Sequence, residues 1–269
     1  MSRSRKPKPA HLGPQYAQQF CDESVARAYA HRPTHPPQTF EFLLTLMDDP
    51  KRRVLDLGCG TGLIARGLAP LVERVDAVDF SEAMIAQGRT LQGGDHANLR
   101  WICSTAEAFT SDHRYDLITC GDAIHWFDWD IVFPKFREML EPAALLALLG
   151  VDAEPTWPLD LGALMARYST NREFKPYNLL DELTSRKLFT IAGEKSFRST
   201  PYQQPVDDFI ESIHARNGFS RDRSSSDARD FDRGVREVVG RAYPDQTIEF
   251  QAVSTITWGE PLAKLHLRG

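Results

Sequence analysis

Val54-Leu55-Asp56-Leu57-Gly58-Cys59-Gly60-Thr61-Gly62 decides the fold, because an apolar run breaks here into a loop with glycine at every second position. Glycine lets the backbone turn tightly and approach a ligand where a Cβ would collide. The apolar residues predict a buried strand, and residues 63–68 predict the helix that follows. This order is typical of a nucleotide-type cofactor site at the carboxyl end of the first strand of an α/β sheet.

Strands and helices alternate regularly across residues 51–150. The predicted strands cover 53–57, 74–79, 99–103, 115–120 and 144–149, and the predicted helices cover 63–71, 81–91 and 129–140. Repeated βα units bury both faces of a sheet. The sequence therefore predicts an α/β fold, in which a doubly wound, mostly parallel, seven-stranded Rossmann-like sheet carries a helical cap.

The flanking segments complete this prediction of a single domain over 15–269, preceded by a flexible basic tail at 1–14. The core at 51–150 gains terminal strands at 195–202 and 247–258. The predicted cap comprises 15–48, 157–190 and 207–243, with helices at 15–29, 39–47, 159–168, 178–188, 207–216 and 230–243. The polar segment 217–226 is expected to be mobile.

Composition excludes several classes of protein. The net charge of -5 argues against a nucleic-acid partner, because phosphate recognition requires a basic face. No apolar run is long enough to span a membrane, and no apolar stretch follows the basic N-terminus, so we expect no membrane partner, no secretory signal and a cytoplasmic location. The four cysteines form no CxxC pair, which predicts reduced thiols and no metal site.

Polar residues follow three of the predicted strands at their carboxyl ends, where ligands of open α/β sheets bind. Asp56 precedes the glycine loop, Asp79 ends the second strand, and Ala106-Glu107 follow the third. A carboxylate at Asp79 can accept hydrogen bonds from both hydroxyls of a ribose. Small Ala106 beside polar Glu107 suits the edge of an adenine ring, although Glu107 is also typical of a solvated helix start. Together these residues predict an adenosine-shaped slot.

The glycine spacing separates two cofactors that contain adenosine. A dinucleotide site requires a glycine three residues after its second glycine, but Leu63 occupies that position and no pyrophosphate anchor is evident. A ligand without phosphate fits better, with its sulfonium and amino-acid tail over the glycines near Asp56. The sequence therefore favours S-adenosylmethionine over a nicotinamide cofactor.

The ordered motifs resemble those of the class I S-adenosylmethionine-dependent methyltransferases. The resemblance is carried by 56–62, 79–84, 106–107 and 116–118. The pair His125-Trp126 after the fourth strand, with Tyr-Ala-His-Arg-Pro at 29–33, is similar to the trans-aconitate methyltransferase-like (methyltransferase type 11) subgroup. The last third of the chain matches only in the order of its elements.

The resemblance implies roles for the matching residues. The three loop glycines would line the methionine part of the cofactor, with Gly121 beneath it; Phe80 or Met84 would flank adenine, and Tyr29 would close over the cofactor. Met84 is equally typical of a core residue. The predicted cofactor site comprises Tyr29, Asp56, Gly58, Cys59, Gly60, Gly62, Asp79, Phe80, Met84, Ala106, Glu107 and Gly121.

The acceptor side of the site is predicted from the residues after the fourth strand. His125 is the candidate catalytic base, although a histidine beside tryptophan is often structural. Arg32, Asp122 and Trp126 are predicted to form the substrate wall. Three further arginines are interpreted as solvated cap residues, with a carboxylate clamp from Arg32 or one of them as the alternative: Arg216, Arg221 and Arg223.

We therefore predict an S-adenosylmethionine-dependent methyltransferase that acts on a small molecule as a monomer or homodimer. O-methylation of a carboxylate or a hydroxyl is favoured, and a carboxylate would need no base. Two alternatives stay open. One is a protein that binds the cofactor without methyl transfer, such as a cyclase or a binding module, and the other is a methyltransferase that acts on a macromolecule.

Overall fold

The structure, a computed structural model, describes residues 8–48, 52–154, 159–175, 177–224 and 227–262. Its strands are β1 Arg53–Leu57, β2 Arg74–Asp79, β3 Leu99–Cys103, β4 Tyr115–Gly121, β5 Leu140–Glu154, β6 Phe189–Arg198, β7 Tyr202–Pro205 and β8 Thr247–Pro261. Its α-helices are α1 Pro14–Ala17, α2 Glu23–Ala28, α3 Pro37–Leu44, α4 Leu63–Leu68, α5 Glu82–Thr90, α6 Trp129–Met139, α7 Leu159–Tyr168, α8 Leu179–Ser185, α9 Val206–His214 and α10 Asp227–Ala242.

The sheet follows the order β3-β2-β1-β4-β5-β8-β6, and β7 pairs with β8 beside this path. Five neighbouring strands, β3, β2, β1, β4 and β5, are mutually parallel. Strand β8 runs antiparallel to β5, β6 and β7. The central strand β1 lies between β2 and β4, where Val54 is paired with Val75 on one side and Leu117 on the other. The predicted mostly parallel, Rossmann-like sheet is confirmed, with β7 as an additional eighth strand.

Two hydrophobic clusters cover the two faces of the sheet. One contains Phe133 and Phe136 of α6 together with Leu183 of α8, and the other contains Leu43 of α3 and Leu68 of α4. Burial of each such side chain stabilises the fold by roughly 1.5–3 kcal/mol. Helices α3 and α8 therefore belong to the sheet layers, which corrects the prediction that they lie in the cap.

The last strands differ from the prediction in their bounds. The expected strand at 195–202 is two strands, β6 and β7, and the expected strands at 144–149 and 247–258 extend to Leu140–Glu154 and Thr247–Pro261. Most residues of β6 are exposed because it lies at the edge of the sheet. An exposed edge strand lacks the apolar alternation by which strands are recognised in a sequence.

The N-terminal region also corrects the prediction. The expected helix at 15–29 is divided into α1, α2 and two 3-10 turns, because Asp22 adopts an extended conformation before α2. Residues 1–7 of the expected flexible tail lie outside the described residues. Residues 8–14 are packed, with a 3-10 turn at Ala10–Leu12 in which His11 and Leu12 are buried.

A third hydrophobic cluster forms the cap from α7, α9 and α10. Phe209, Phe231 and Val235 pack there against Phe250 of β8. The described residues of the predicted segment 157–190 begin at 159, so Trp157 lies outside them. In those ranges no helix is long and apolar enough to cross a membrane.

Candidate functional site

A cavity of about 1110 Å³ lies over the carboxyl ends of the central strands. Its floor is formed by the β1–α4 loop and the residues that follow β2 and β4, and residues 8–35, which we call the roof, cover it. Pockets for single drug-sized ligands measure roughly 300–1,000 Å³. The cavity therefore has room for a nucleoside-sized cofactor and a second molecule.

The glycine loop is held against β2 by backbone hydrogen bonds. The N–H groups of Gly58 and Cys59 donate to the Val78 carbonyl over 2.8 and 3.0 Å. Gly58 and Gly60 have φ of +68° and +54°, in the left-handed region that favours glycine. A Cβ on Gly58 would overlap the Cβ of Ala123. The loop conformation therefore depends on glycine both for its backbone angles and for its packing.

Gly60 differs from Gly58 because it faces open space. A Cβ there would meet only the Tyr29 ring, 3.9 Å away, so a space remains between the loop and the roof. Both residues line the cavity. This gap is where the backbone can approach a ligand closely.

Asp79 ends β2 and points back toward the glycine loop. Its two carboxylate oxygens accept hydrogen bonds from the N–H groups of Gly60 and Ser81, each over 2.8 Å. Burial raises the pKa of Asp79, and these hydrogen bonds oppose that rise. A carboxylate offers about four acceptor positions, so the Asp79 carboxylate retains capacity for two further donors. This fits the two hydroxyls of a ribose.

Asp56 has a different environment. Its carboxylate accepts hydrogen bonds from Thr119 Oγ1 over 2.8 Å and from Ala65 N over 3.2 Å, and the residue is 1% exposed. Burial raises its pKa to about 7. Asp56 therefore fixes β1 and the start of α4 to β4, and this fixes the loop between them.

The expected adenine end contains Phe80, Met84, Ala106 and Glu107, all of which line the cavity. Met84 is 1% exposed and also packs against α2, so it serves both the core and the cavity wall. Glu107 Oε1 accepts a hydrogen bond from the N–H of Asp128 over 2.8 Å. Glu107 thereby joins the residues after β3 to the start of α6.

The structure brings most of the predicted site residues together. The cavity-lining residues include Tyr29, Arg32, Asp56, Gly58, Cys59, Gly60, Asp79, Phe80, Met84, Ala106, Glu107, Gly121, Asp122 and Trp126. Two predicted residues are not among them. Gly62 packs against the Trp101 ring, and the His125 ring lies 4.7 Å from that of Trp126. Burial lowers the pKa of His125 to about 4, which keeps its imidazole neutral at pH 7.

The acceptor end of the cavity contains charged residues. Arg32 Nη2 lies 3.9 Å from Asp122 Oδ2. Beside them, Arg216 Nη2 lies 3.6 Å from Asp152 Oδ1; burial lowers the pKa of Arg216 to about 10, and the Arg32 charge lowers it further. This end of the cavity can therefore orient a polar acceptor.

The cavity residues that sequence reasoning missed include the titratable side chains of Lys8 and His35. His35 Nδ1 lies 2.8 Å from Ser254 Oγ of β8, and burial lowers the His35 pKa to about 4. Lys8 Nζ donates to the Phe127 carbonyl over 2.8 Å, and burial lowers its pKa to about 8. The only available signal was the position of His35 within the proline cluster at 33–37, which marks a rigid turn.

The roof is attached to residues 217–224, which we call the cap loop, by polar side chains. Asp22 accepts hydrogen bonds from Ser220 Oγ and Arg223 Nε, each over 2.6 Å. Gln19 Oε1 accepts one from Gly218 N over 2.8 Å. These contacts correct the expectation that 217–226 is mobile, although residues 225 and 226 lie outside the described residues.

The three arginines of the cap have structural partners. Arg221 bridges Glu211 and Asp232 at 2.6 and 2.8 Å, Arg223 contacts Asp22, and Arg216 contacts Asp152. Arg223 is exposed, as expected for a solvated cap residue, and is also held by Asp22, whereas Arg221 is only partly exposed and is held by two carboxylates. Across the part of the chain that the structure describes, no group of three or more His, Cys, Asp or Glu is arranged to hold a metal ion.

Comparison with known sequences gives a partial match. The sequence model described as "methyltransferase domain" matches residues 54–143, a third of the chain. Ubiquinone biosynthesis O-methyltransferase from Coxiella burnetii (strain Dugway 5J108-111) is 30% identical over 166 residues, which are 61% of this chain and 58% of that protein. The protein of the same name from Bradyrhizobium diazoefficiens is 30% identical over 97 residues, 36% of this chain and 38% of that protein. The chain therefore spans about two fifths to three fifths of these relatives.

Comparison with solved structures covers more of the chain. A "putative type II methyltransferase" from Anaeromyxobacter dehalogenans has a TM-score of 0.61 and 24% identity, over 87% of this chain and 99% of that chain. The (4+2)-cyclase SpnF has a TM-score of 0.55 and 16% identity, over 97% of this chain and 100% of that chain. At these identities the two comparisons show a shared fold.

Proposed function

We propose, on the premise that this chain belongs to the class I S-adenosylmethionine-dependent methyltransferases, that it transfers a methyl group from S-adenosylmethionine to an oxygen atom of a small molecule. The observation that carries the proposal is the gap between Gly60 and Tyr29, with the Asp79 carboxylate beside it. The trans-aconitate methyltransferase-like subgroup stays a prediction.

The residues of the floor fit this cofactor. Asp79 would receive the ribose hydroxyls, the Gly58–Gly60 backbone would lie against the methionine part, and Ala106 would lie against the adenine. When bound, the cofactor supplies an electrophilic methyl group on a positively charged sulfur. The carboxylates of Asp79 and Asp122, which both line the cavity, favour a cationic ligand.

A small-molecule acceptor is supported by the enclosed shape of the site. The roof residues Leu12, Phe20 and Tyr29 line the cavity opposite the floor, so the acceptor must fit beneath them. The relatives from Coxiella burnetii and Bradyrhizobium diazoefficiens, both named ubiquinone biosynthesis O-methyltransferase, also favour a small acceptor with an oxygen nucleophile. The protein would act mainly by alignment and by the exclusion of water from the reacting atoms.

A cyclase is the second candidate, because SpnF shares this fold over nearly the whole chain. Such a protein would bind the same cofactor without transferring its methyl group. The charged residues at the acceptor end, Arg32 and Asp122, favour methyl transfer over this alternative, since a polar acceptor needs orientation.

Two measurements test the proposal. Calorimetry should detect binding of S-adenosylhomocysteine by the wild-type protein, and incubation with methyl-labelled S-adenosylmethionine should transfer label to members of a panel of phenols, aliphatic alcohols and carboxylic acids. Binding without label transfer to any member would favour the cyclase. Absence of binding would contradict both functions.

A further inference from the structure

Asp122 has a backbone conformation that few residues adopt. Its φ is +47°, in the left-handed region, and its N–H donates to the Leu149 carbonyl over 2.9 Å. Aspartate and asparagine tolerate this conformation better than other residues with a Cβ, but it still costs about 1 kcal/mol or more. Such strain is often found where a side chain must be aimed at a ligand.

The conformation directs the Asp122 side chain into the cavity. The side chain is 56% exposed, and the residue lines the cavity directly after Gly121 at the end of β4. The neighbouring strand β5 has glycine at position 150, beside the Asp122 carboxylate. A Cβ on Gly150 would lie only 3.3 Å from Asp122 Oδ1, so the glycine leaves room for this side chain. Asp122 is therefore an accessible carboxylate in the wall of the cavity.

The charges around Asp122 tune its proton affinity. Burial raises its pKa, and Asp152 of β5 raises it further. Arg32 of the roof, the Val151 N–H of β5 and Arg216 at the end of α9 oppose this rise. A carboxylate with a raised pKa holds a proton more tightly, which suits it to accept one from an acceptor hydroxyl.

We propose, on the basis of the proposed function, that Asp122 is the catalytic base and that the acceptor is a hydroxyl group. In this reaction the acceptor oxygen forms a bond to the methyl carbon, the electron pair of the carbon–sulfur bond remains on sulfur, and the hydroxyl proton passes to the Asp122 carboxylate. Arg32 orients this carboxylate. An ionised carboxylate acceptor is disfavoured, because it would be placed beside another negative charge.

The two histidines near the site are less suited to this role. His125 is not among the residues that line the cavity. His35 lines it, but burial lowers the His35 pKa to about 4, so its imidazole is a weak base. Asp122, unlike either histidine, directly follows Gly121, the residue predicted to lie beneath the methionine part of the cofactor.

The experiment measures how close Asp122 lies to the methyl position without requiring the acceptor. Sinefungin is an analogue of the cofactor in which a carbon with a protonated amine replaces the methyl sulfonium. Its ammonium group lies where the methyl group would lie, whereas S-adenosylhomocysteine has neither group. Calorimetry should compare both ligands with the wild-type protein, Asp122→Asn and Asp112→Asn. Asparagine retains the left-handed conformation at 122. Asp112→Asn is the matched control, because Asp112 is exposed before β4 and does not line the cavity.

We expect Asp122→Asn to weaken sinefungin binding about tenfold while S-adenosylhomocysteine affinity changes by less than about twofold. Asp112→Asn should change neither affinity by more than about twofold. In the wild-type protein the preference for sinefungin should fall as pH falls through the pKa of Asp122, and Asp122→Asn should remove this dependence.

An unchanged ratio of the two affinities in Asp122→Asn would overturn the assignment of Asp122 and leave the proposed function standing. Failure of the wild-type protein to bind either ligand would overturn the proposed function and with it this inference. If label is transferred, Asp122→Asn should lower kcat for a phenol acceptor about a hundredfold. If Asp122→Asn instead had a higher kcat/KM for a carboxylic acid than the wild-type protein, the proposal that the acceptor is a hydroxyl group would be contradicted.

Discussion

The floor and the roof of the cavity are built by different interactions. The floor consists of strand ends and a glycine loop, and it is held by backbone hydrogen bonds such as those from Gly58 and Cys59 to Val78. The roof is held to the cap loop by side chains such as Asp22 and Gln19, which are about two hundred residues from their partners. We therefore expect local opening of the roof to require less free energy than opening of the floor, which belongs to the folding core.

This difference separates two kinds of mutational effect. Changes in the floor should affect the stability of the whole fold or the affinity for the cofactor directly. Changes at the attachment of the roof should affect local opening and leave global stability nearly intact. The four predictions below run from the largest expected effect to the smallest.

Gly58→Ala should destabilise the floor most. The added methyl would overlap Ala123, and φ would stay at +68°, so we expect a loss of about 4 kcal/mol in the free energy of unfolding. Chemical denaturation measures this loss. Gly60→Ala is the matched control, because its Cβ meets only Tyr29 at 3.9 Å; it should cost about 1 kcal/mol yet weaken S-adenosylhomocysteine binding at least about tenfold. Equal stability losses in the two variants would contradict the geometry of the loop.

His35 joins the roof to the sheet through Ser254, and its titration should affect stability at acid pH. Its pKa in the folded protein is about 4, below the ordinary 6.5, so the unfolded chain binds its proton more readily. The stability contribution is therefore fully present above about pH 6.5 and is lost as pH falls toward 4. Wild-type protein should lose roughly 3 kcal/mol more than His35→Asn over this range. Parallel pH profiles from urea denaturation would refute the prediction.

Asp79→Asn tests the floor through binding and not through stability. Loss of the charged acceptor should weaken S-adenosylhomocysteine affinity roughly thirtyfold, about 2 kcal/mol, with a smaller effect on unfolding. Glu82→Gln is the control, since Glu82 is exposed in the next helix and does not line the cavity. Calorimetry that finds the two variants alike would remove Asp79 from the cofactor site.

Asp22→Ala tests the roof. It removes the acceptor for Ser220 and Arg223, and we expect global stability to fall by about 1 kcal/mol or less. Hydrogen exchange in residues 8–28 should nevertheless become at least about tenfold faster. The variant has lost the hydrogen bonds that local opening of the roof must otherwise break, so opening costs less free energy. Glu23→Ala is the control, since the Glu23–Arg27 pair is exposed. Unchanged exchange in Asp22→Ala would mean that apolar packing holds the roof.

The floor could be predicted from the sequence because its determinants are local. Glycines 58 and 60, the strand before them and Asp79 at the end of the next strand lie within 26 residues, and the sheet brings strand ends together. Ser81 Oγ accepts a hydrogen bond from the N–H of Met84 at the start of α5, where the sequence predicted a helix to begin. The sequence model described as "methyltransferase domain" matches residues 54–143, the stretch that contains these motifs.

The roof could not be predicted in the same way, because its partners are distant in the chain. Nothing local indicates that Asp22 contacts Arg223, or that Asn171 donates to the His11 carbonyl. His125 was selected from its place after β4, yet a 3-10 turn at Ile124–Trp126 places its ring beside Trp126. Asp122 was predicted as wall only, since a positive φ cannot be read from one aspartate.

The two fifteen-residue strands β5 and β8 have a mechanical consequence. They pair without interruption from Leu146–Gly259 to Glu154–Gln251, so one continuous ladder runs from the core into the cap. A hinge motion between the core and the cap would have to break several backbone hydrogen bonds of this ladder at once. Ligands should therefore enter and leave past residues 8–35, and the opening rate of this segment should set the upper limit on ligand exchange.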